Sequence, residues 1–371
     1  MPIPSSDLLK TKLELLIQSF NAILYEPDAY GLENLKHHNL AGDDPERYKH
    51  WEWPQGVGLY GMWKLYEKTR KPEYLAVLED YYRTQIERGL PARNVNTTAP
   101  MLALSYLAEH TGSAQYMELC AQWAQWVASA MPRTEEGGLQ HVVSEQANTG
   151  ELWDDTLFMT VLFLANMGRI LKRADYLEDA AYQFLLHAKY LTDTRTGLWF
   201  HGFTFQGRHN FVKALWGRGN CWVTIAIPVF LEILSRPAAS AGSLNMLRRF
   251  LQAALEQQVK TLAALQEKNG MWHTLLDDPG SYLETSATSG FGYGILKGIH
   301  SGLLSETFRP VAEQAVNATV ENIGADGVVA QVSYGTPMGR DSRDFYKKIP
   351  IRPMPYGQSL ALLALMESLN P

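Results

Sequence analysis

Lys64-Leu-Tyr-Glu-Lys-Thr-Arg-Lys-Pro-Glu-Tyr-Leu75 is the stretch that decides how this chain folds, because Ser105-Tyr-Leu-Ala-Glu-His-Thr-Gly-Ser-Ala-Gln-Tyr-Met117 repeats its pattern. Each is the end of one helix, a tight polar turn, and an aromatic residue opening the next helix. Fainter copies run from Gly168 to Leu177 and from His300 to Phe308. The helix before the first turn is rich in small and aromatic residues (Gly56, Gly58, Tyr60, Gly61, Trp63), whereas the helix after it is charged (Glu79, Asp80, Arg83, Glu87, Arg88). An inner helix, a turn and an outer helix, repeated at uneven spacing, describe a closed toroid of helical hairpins and not an open solenoid of uniform repeats.

Working outward, helical periods dominate the chain, with starts near Ser6, Pro54, Glu73, Thr98, Ala114, Asp154, Ala174, Asn220, Leu244, Glu284, Glu306 and Gly357. Strand-like alternation is confined to Gly138–Val143, Gly197–His201 and Gly327–Val332, each beside a glycine, which predicts short β-hairpins in the loops. The fold class expected is all-α, an α/α barrel forming one domain over residues 1–371, with Arg236–Ser243 as a loop between helices.

Composition narrows the function. A net charge of −6 without Lys/Arg runs gives no support to nucleic-acid or anionic-membrane binding. No apolar run approaches the roughly 20 residues that span a bilayer, and the amphipathic Leu8–Ile17 follows no signal-peptide pattern. A cytoplasmic protein is expected. Cys120 and Cys221 stand far apart without ligand spacing, so neither a disulfide framework nor a metal site is expected. Ten tryptophans and 18 tyrosines suit a protein that stacks rings on sugar faces as well as one with a large core.

Five lead-ins to inner-type helices carry Trp or Tyr, a polar group, or both. They are Trp51–Gln55, Asn94–Thr98, Leu152–Thr156, Leu215–Trp222 and Tyr282–Ser286. Five in register predict a pocket lined by rings and hydrogen-bonding groups. The sharpest is Glu151-Leu-Trp-Asp-Asp-Thr-Leu-Phe-Met159, where two carboxylates precede a helix with no charge from Thr156 to Gly168. An acid at the mouth of a buried helix is costly unless paired or used, although Asp is also a favoured helix cap.

Taken together, Trp53–Gly61, Trp153–Met159, His201-Gly202, Trp216–Trp222 and Tyr282–Ala287 resemble the unsaturated rhamnogalacturonyl hydrolases, glycoside hydrolase family 105, with unsaturated glucuronyl hydrolases as more distant relatives. The resemblance implies an (α/α)6 barrel that removes a 4,5-unsaturated uronic acid from the non-reducing end of lyase-generated oligosaccharides, without a cofactor. It implies hydration of the vinyl ether, with one carboxyl group acting as acid at C4 and then as base for the water at C5. By position, Asp155 corresponds to the catalytic aspartate, leaving Asp154 at the helix start. Burial against Trp153 must then outweigh the helix dipole for Asp155 to hold a proton. His201 corresponds to a substrate-contacting histidine and Arg218 to a pocket arginine suited to the uronate carboxylate. Trp153 and Trp216 are candidate stacking rings, and Trp53 a piece of pocket wall.

One position departs from the family. Many members carry a second aspartate where this chain has Asn96, and an amide neither titrates nor acts as a base. That places the chemistry on Asp155 alone, with no other acid evident to share it and Asn96 kept as a substrate-binding amide. Arg340, Arg343, Lys347 and Lys348 follow Val332–Gly339, a loop expected over the site, and are read as solvated ahead of meeting an anionic sugar. Two other readings stay open: a sugar 2-epimerase on the same barrel, using His201 and His273, and a catalytically inactive sugar-binding homologue.

Overall fold

The turns of the repeat share one backbone device. Arg70, Gly112, Lys172 and Gly302 all take positive φ (57°, 67°, 56° and 66°), the left-handed conformation that ends a helix and turns the chain back. Glycine reaches it freely, which accounts for Gly112 and Gly302. The computed structural model describes residues 5–24, 45–235 and 244–369. The expected loop Arg236–Ser243 lies outside the described residues.

Fourteen α-helices occur among the described residues: α1 Ser6–Ile23, α2 Pro45–Tyr48, α3 Trp53–Thr69, α4 Pro72–Arg88, α5 Val95–Thr111, α6 Ala114–Ser129, α7 Leu162–Ile170, α8 Ala174–Leu191, α9 Gly217–Ser235, α10 Leu244–Leu265, α11 Thr285–His300, α12 Arg309–Glu321, α13 Asp344–Lys347 and α14 Pro355–Ser368. Helices α3, α5, α7, α9, α11 and α14 pack in sequence, and α14 returns to α3, so the inner ring closes. Each has an outer partner: α4 on α3, α6 on α5, α8 on α7, α10 on α9 and α12 on α11. The sixth pair joins distant parts of the chain, with α1 lying on α14. This is the (α/α)6 barrel.

Residue pattern explains which helix goes where. On α14 every residue from Tyr356 to Glu367 is buried, as a helix packed on all sides requires. On α4 only Leu78, Tyr81, Tyr82 and Gln85 are buried, the stripe of a helix with one face in solvent. Small residues let the inner helices touch: a Cβ on Gly56 would sit 2.6 Å from the Ala99 carbonyl carbon and from the Pro100 nitrogen. Toward the C-terminal ends of the inner helices, Glu232 accepts from Lys64 (2.8 Å) and Lys297 (2.5 Å). Pairing of this kind is what lets charge persist inside a barrel.

Strand structure differs from expectation. The three alternating segments form only isolated bridges, Arg133 with Leu139, Thr192 with Trp199 and Ile323 with Val329. The two-stranded sheet pairs β1 (Glu151–Trp153) with β2 (Gly202–Thr204), antiparallel, placing Trp153 opposite Gly202. The chain after β1 enters α7 through a π-helical turn, Leu157–Val161, instead of starting an α-helix at Asp154. Single π-helical turns inside helices are rare and often mark functional positions.

Candidate active site

The N-terminal ends of five of the six inner helices, all but α11, border a cavity of about 330 Å³. Trp53 and Glu52 reach it from the start of α3, Asn96 from α5, and Asp155 and Met159 from the turn before α7. Trp216 comes from the residue before α9, Arg218 and Trp222 from its first turns, and Tyr356 from α14. His141 and Glu145 arrive on the loop between α6 and β1, and Tyr334–Pro337 cross over the top. Converging helix N-termini point partial positive charge at one volume, a setting that suits an anionic ligand.

The adjacent aspartates have different surroundings. Asp155 is 16% exposed, and that exposure faces the cavity; Asp154 is fully buried. Burial pushes Asp155 up to about 7, against the pull of its own and the Thr156 backbone amides and of the Arg218 charge. Asp154 is raised well above the carboxylate range by burial and then by the charge of Asp155. The expected cap is not formed: neither Asp154 carboxylate oxygen accepts a hydrogen bond. The backbone starts the helix instead, with the Asp155 carbonyl accepting from Phe158 and Met159 N–H (3.1 and 3.0 Å). Asp154 packs against the first turn of α9, where a Cβ on Gly219 would come within 2.3 Å of Asp154 Oδ2.

Rings build the wall behind Asp155. Trp153 donates Nε1–H to Glu151 Oε2 (2.9 Å), and Glu151 also accepts from Arg340 (2.7 Å), so the loop after α12 helps to set the Trp153 ring. His141 stacks on Trp153, and its Nδ1 lies 2.7 Å from the Thr156 hydroxyl. Burial drops His141 to about 3, so it is neutral near pH 7. His201 is not on the cavity surface. It is 1% exposed and packs between Trp153 and Trp216, with Nδ1 2.7 Å from the Tyr346 hydroxyl. The histidine facing the cavity is His141, which sits in the Gly138–Val143 segment read from sequence as a strand.

Arg218 is also placed differently from expectation. It lines the cavity yet is 2% exposed, and its two Nη groups donate to Ser333 O and Oγ (3.0 and 2.6 Å), Tyr334 O (3.1 Å) and Thr336 Oγ1 (2.8 Å). Its plane lies between Trp216 and Tyr356, 4.8 and 4.7 Å from the ring centroids. The guanidinium fork is thus engaged with the loop over the site. Glu284 completes this clamp, accepting from Ser333 N–H (2.9 Å) while capping α11 through Ser286 and Ala287 N–H. Trp53 stacks on Tyr356 (4.5 Å) and lines the cavity. The cationic residues beyond the loop hold it down: Arg340 on Glu151, Arg343 on Asp277, and Lys347 on Asp278 (2.6 Å).

The cavity contains a second titratable carboxyl at Glu52, contrary to the expectation that Asp155 stands alone. Burial, followed by the charge of Glu145, pushes Glu52 up to about 8, while hydrogen bonds from Ser144, the Trp53 backbone and Asn96 oppose the rise. Its sequence signal was present in Trp51-Glu-Trp-Pro-Gln55, which places an acid directly before an inner helix. His273, the second histidine of the epimerase reading, lies outside this cavity beside Glu267 (3.3 Å). Among the described residues no cluster of His, Cys, Asp and Glu could hold a metal ion, and no helix is long and apolar enough to cross a membrane.

Comparison with known proteins agrees with this architecture. The family model of Glycosyl Hydrolase Family 88 matches residues 33–370. The chain is 33% identical over 323 residues to the unsaturated rhamnogalacturonyl hydrolase YesR of Bacillus subtilis (strain 168), spanning 86% of this chain and 90% of that protein. A solved structure from Klebsiella pneumoniae, described as a possible member of the GH105 family, superposes with a TM-score of 0.90 at 41% identity, covering 100% of this chain and 94% of that one. The unsaturated glucuronyl hydrolase of Bacillus sp. GL1 shares the fold at 16% identity, with a TM-score of 0.69 over 96% of this chain and 97% of that one.

Proposed function

The chain belongs to Glycosyl Hydrolase Family 88 and is a glycosidase of the unsaturated rhamnogalacturonyl and glucuronyl hydrolase type; from that premise we propose that it removes a 4,5-unsaturated uronic acid from the non-reducing end of oligosaccharides left by a polysaccharide lyase. The ring from α1 to α14 is read as one catalytic domain. The observation that carries the reading is Asp155: a carboxyl open to a ring-lined cavity and poised near 7 by burial. A group at that value holds a proton in part of the population and is ionised in the rest, as a residue serving as acid and then base must.

In the proposed sequence Asp155 donates its proton to C4 of the C4=C5 double bond. The resulting carboxylate takes a proton from water as the water oxygen bonds to C5, giving a hemiketal. The C5 to ring-oxygen bond then breaks to a ketone, and the C1 hemiacetal collapses to an aldehyde, releasing the aglycone hydroxyl. One water is consumed and Asp155 regains its proton. Trp153, Trp216 and Trp222 line the cavity as an apolar wall for the sugar ring, and the helix N-termini favour its carboxylate. Asn96 offers an amide to sugar hydroxyls or to the water. His201 and Arg218 serve this site from behind, the first by backing Trp153 and Trp216, the second by holding the loop over the cavity.

Incubation with unsaturated disaccharides of pectic, glycosaminoglycan and algal origin tests the proposal through the ultraviolet absorbance of the conjugated double bond. The absorbance should fall as the double bond is hydrated. Full retention across all three groups would end the proposal. Sugar interconversion without that loss would favour the epimerase reading.

A further inference from the structure

The fold accounts for a glycine when its φ is positive or when a Cβ in its place would collide with a neighbour. Among the described glycines, Gly335 alone meets neither condition: its φ is not positive, and nothing lies within 4 Å of the point a Cβ would occupy. Gly112 and Gly302 have similar open space, but both turn the chain with positive φ (67° and 66°). Nor is Gly335 a hinge, because its neighbours are held on one guanidinium. Arg218 Nη2 donates to Tyr334 O (3.1 Å) on one side and to Thr336 Oγ1 (2.8 Å) on the other, and the Thr336 hydroxyl donates in turn to Tyr334 O (2.9 Å). Just before them, Ser333 N–H donates to Glu284 (2.9 Å) and Ser333 O accepts from the Tyr356 hydroxyl (2.6 Å). At such a position alanine would favour folding by restricting the unfolded chain.

We infer that Gly335 is a specificity-determining residue of the proposed hydrolysis: its bare main chain is the surface over which the aglycone ring leaves the cavity. The inference rests on the function proposed above. Gly335 and Thr336 line the cavity that Asp155 faces. The unsaturated residue has to lie against Asp155 for proton transfer, so the rest of the oligosaccharide leads outward to solvent. The segment over the cavity makes the same passage: Tyr334 is buried, Gly335 and Thr336 are half-buried, and Pro337 is exposed. Close approach of a ligand to the backbone is one of the uses to which glycine is suited. Among the described residues, neither the Gly335 nor the Thr336 N–H donates to a protein acceptor, which leaves both for sugar hydroxyls or water.

The test adds side chains of two sizes, G335A and G335L, and compares two substrates carrying the same unsaturated uronic acid. One is an unsaturated disaccharide that the wild type turns over, and the other is the methyl glycoside, whose aglycone is too small to reach Gly335. The methyl glycoside is read by kcat/KM, or by its inhibition constant if it is not turned over. Preference for the disaccharide over the methyl glycoside should fall by about tenfold in G335A, the scale of one methyl group in a fitted pocket, and further in G335L. The loss should lie mainly in KM, as expected when binding alone is removed. Thermal unfolding of G335A should match or exceed wild type. An unchanged preference in G335L, an equal loss on both substrates, or a lowered unfolding midpoint in G335A would each overturn the inference. Wild-type protein inactive on every unsaturated disaccharide would remove the proposed hydrolysis and the inference with it, whereas an active wild type with indifferent variants strikes the inference alone.

Discussion

His141 lies flat against Trp153, with ring centroids 4.2 Å apart and planes 7° apart, and its Nδ1 is 3.6 Å from Asp155 Oδ1. That distance looks like an ion pair, but burial holds the imidazole at about 3, so it carries no charge near neutrality. The stack therefore presents Asp155 with an uncharged, weakly hydrated wall. This accounts for a carboxyl near 7 at the start of a helix, where the dipole alone would keep it ionised.

Asp155→Asn should abolish turnover, by about 10²–10⁴-fold if only proton transfer is lost, while an unsaturated disaccharide still binds. Isothermal titration beside the absorbance assay separates the two quantities. Activity retained within a few-fold would move the chemistry to another group.

The pH dependence has a definite sign. The first step needs protonated Asp155, so kcat should fall as pH rises through about 7. Stability follows the same group. Its folded value lies above its unfolded value near 4, so the folded state binds more protons between them, and stability is lost as pH rises from about 4 to 7. Asp155→Asn should shallow this loss, gaining on wild type at pH 8 relative to pH 4 in thermal unfolding.

Arg218→Lys tests the clamp. A lysine keeps the charge but cannot span Ser333, Tyr334 and Thr336 together, leaving buried acceptors unmet at about 1–3 kcal/mol each. The expected result is a lower unfolding midpoint and faster proteolysis between residues 333 and 350. An unchanged midpoint with a raised KM would return Arg218 to binding the sugar carboxylate.

Gly56→Ala probes the inner ring. The new methyl would press on the α5 backbone at Ala99 and Pro100, not on a flexible side-chain end. A cost of about 1–3 kcal/mol is expected, read by chemical denaturation.

The architecture was legible because hairpin turns are local: the polar turn between Lys64 and Leu75 states its geometry within a dozen residues. The pocket approaches were legible for the same reason, each preceding an inner helix directly. Side-chain direction was not. His201 and Arg218 occupy the right blocks, yet one is buried behind two tryptophans and the other is taken up by Ser333–Thr336, more than 100 positions away. Asp154 and Asp155 differ by one position, yet one packs on Gly219 and the other reaches the cavity, and the π-helical turn that follows them has no signature in periodicity. Glu52 was overlooked because its partners, Ser144 and Asn96, come from other hairpins.

The pairing of α1 with α14 sets an order on assembly in the cell. Helix α1 is made early, and about 330 residues separate it from the helix it covers. At roughly 5–20 residues per second, the apolar face that α14 covers waits on the order of 15–65 s for its partner. The ring cannot shut during translation of the first five hairpins. The nascent chain carries an unsealed seam until α14 has left the ribosome.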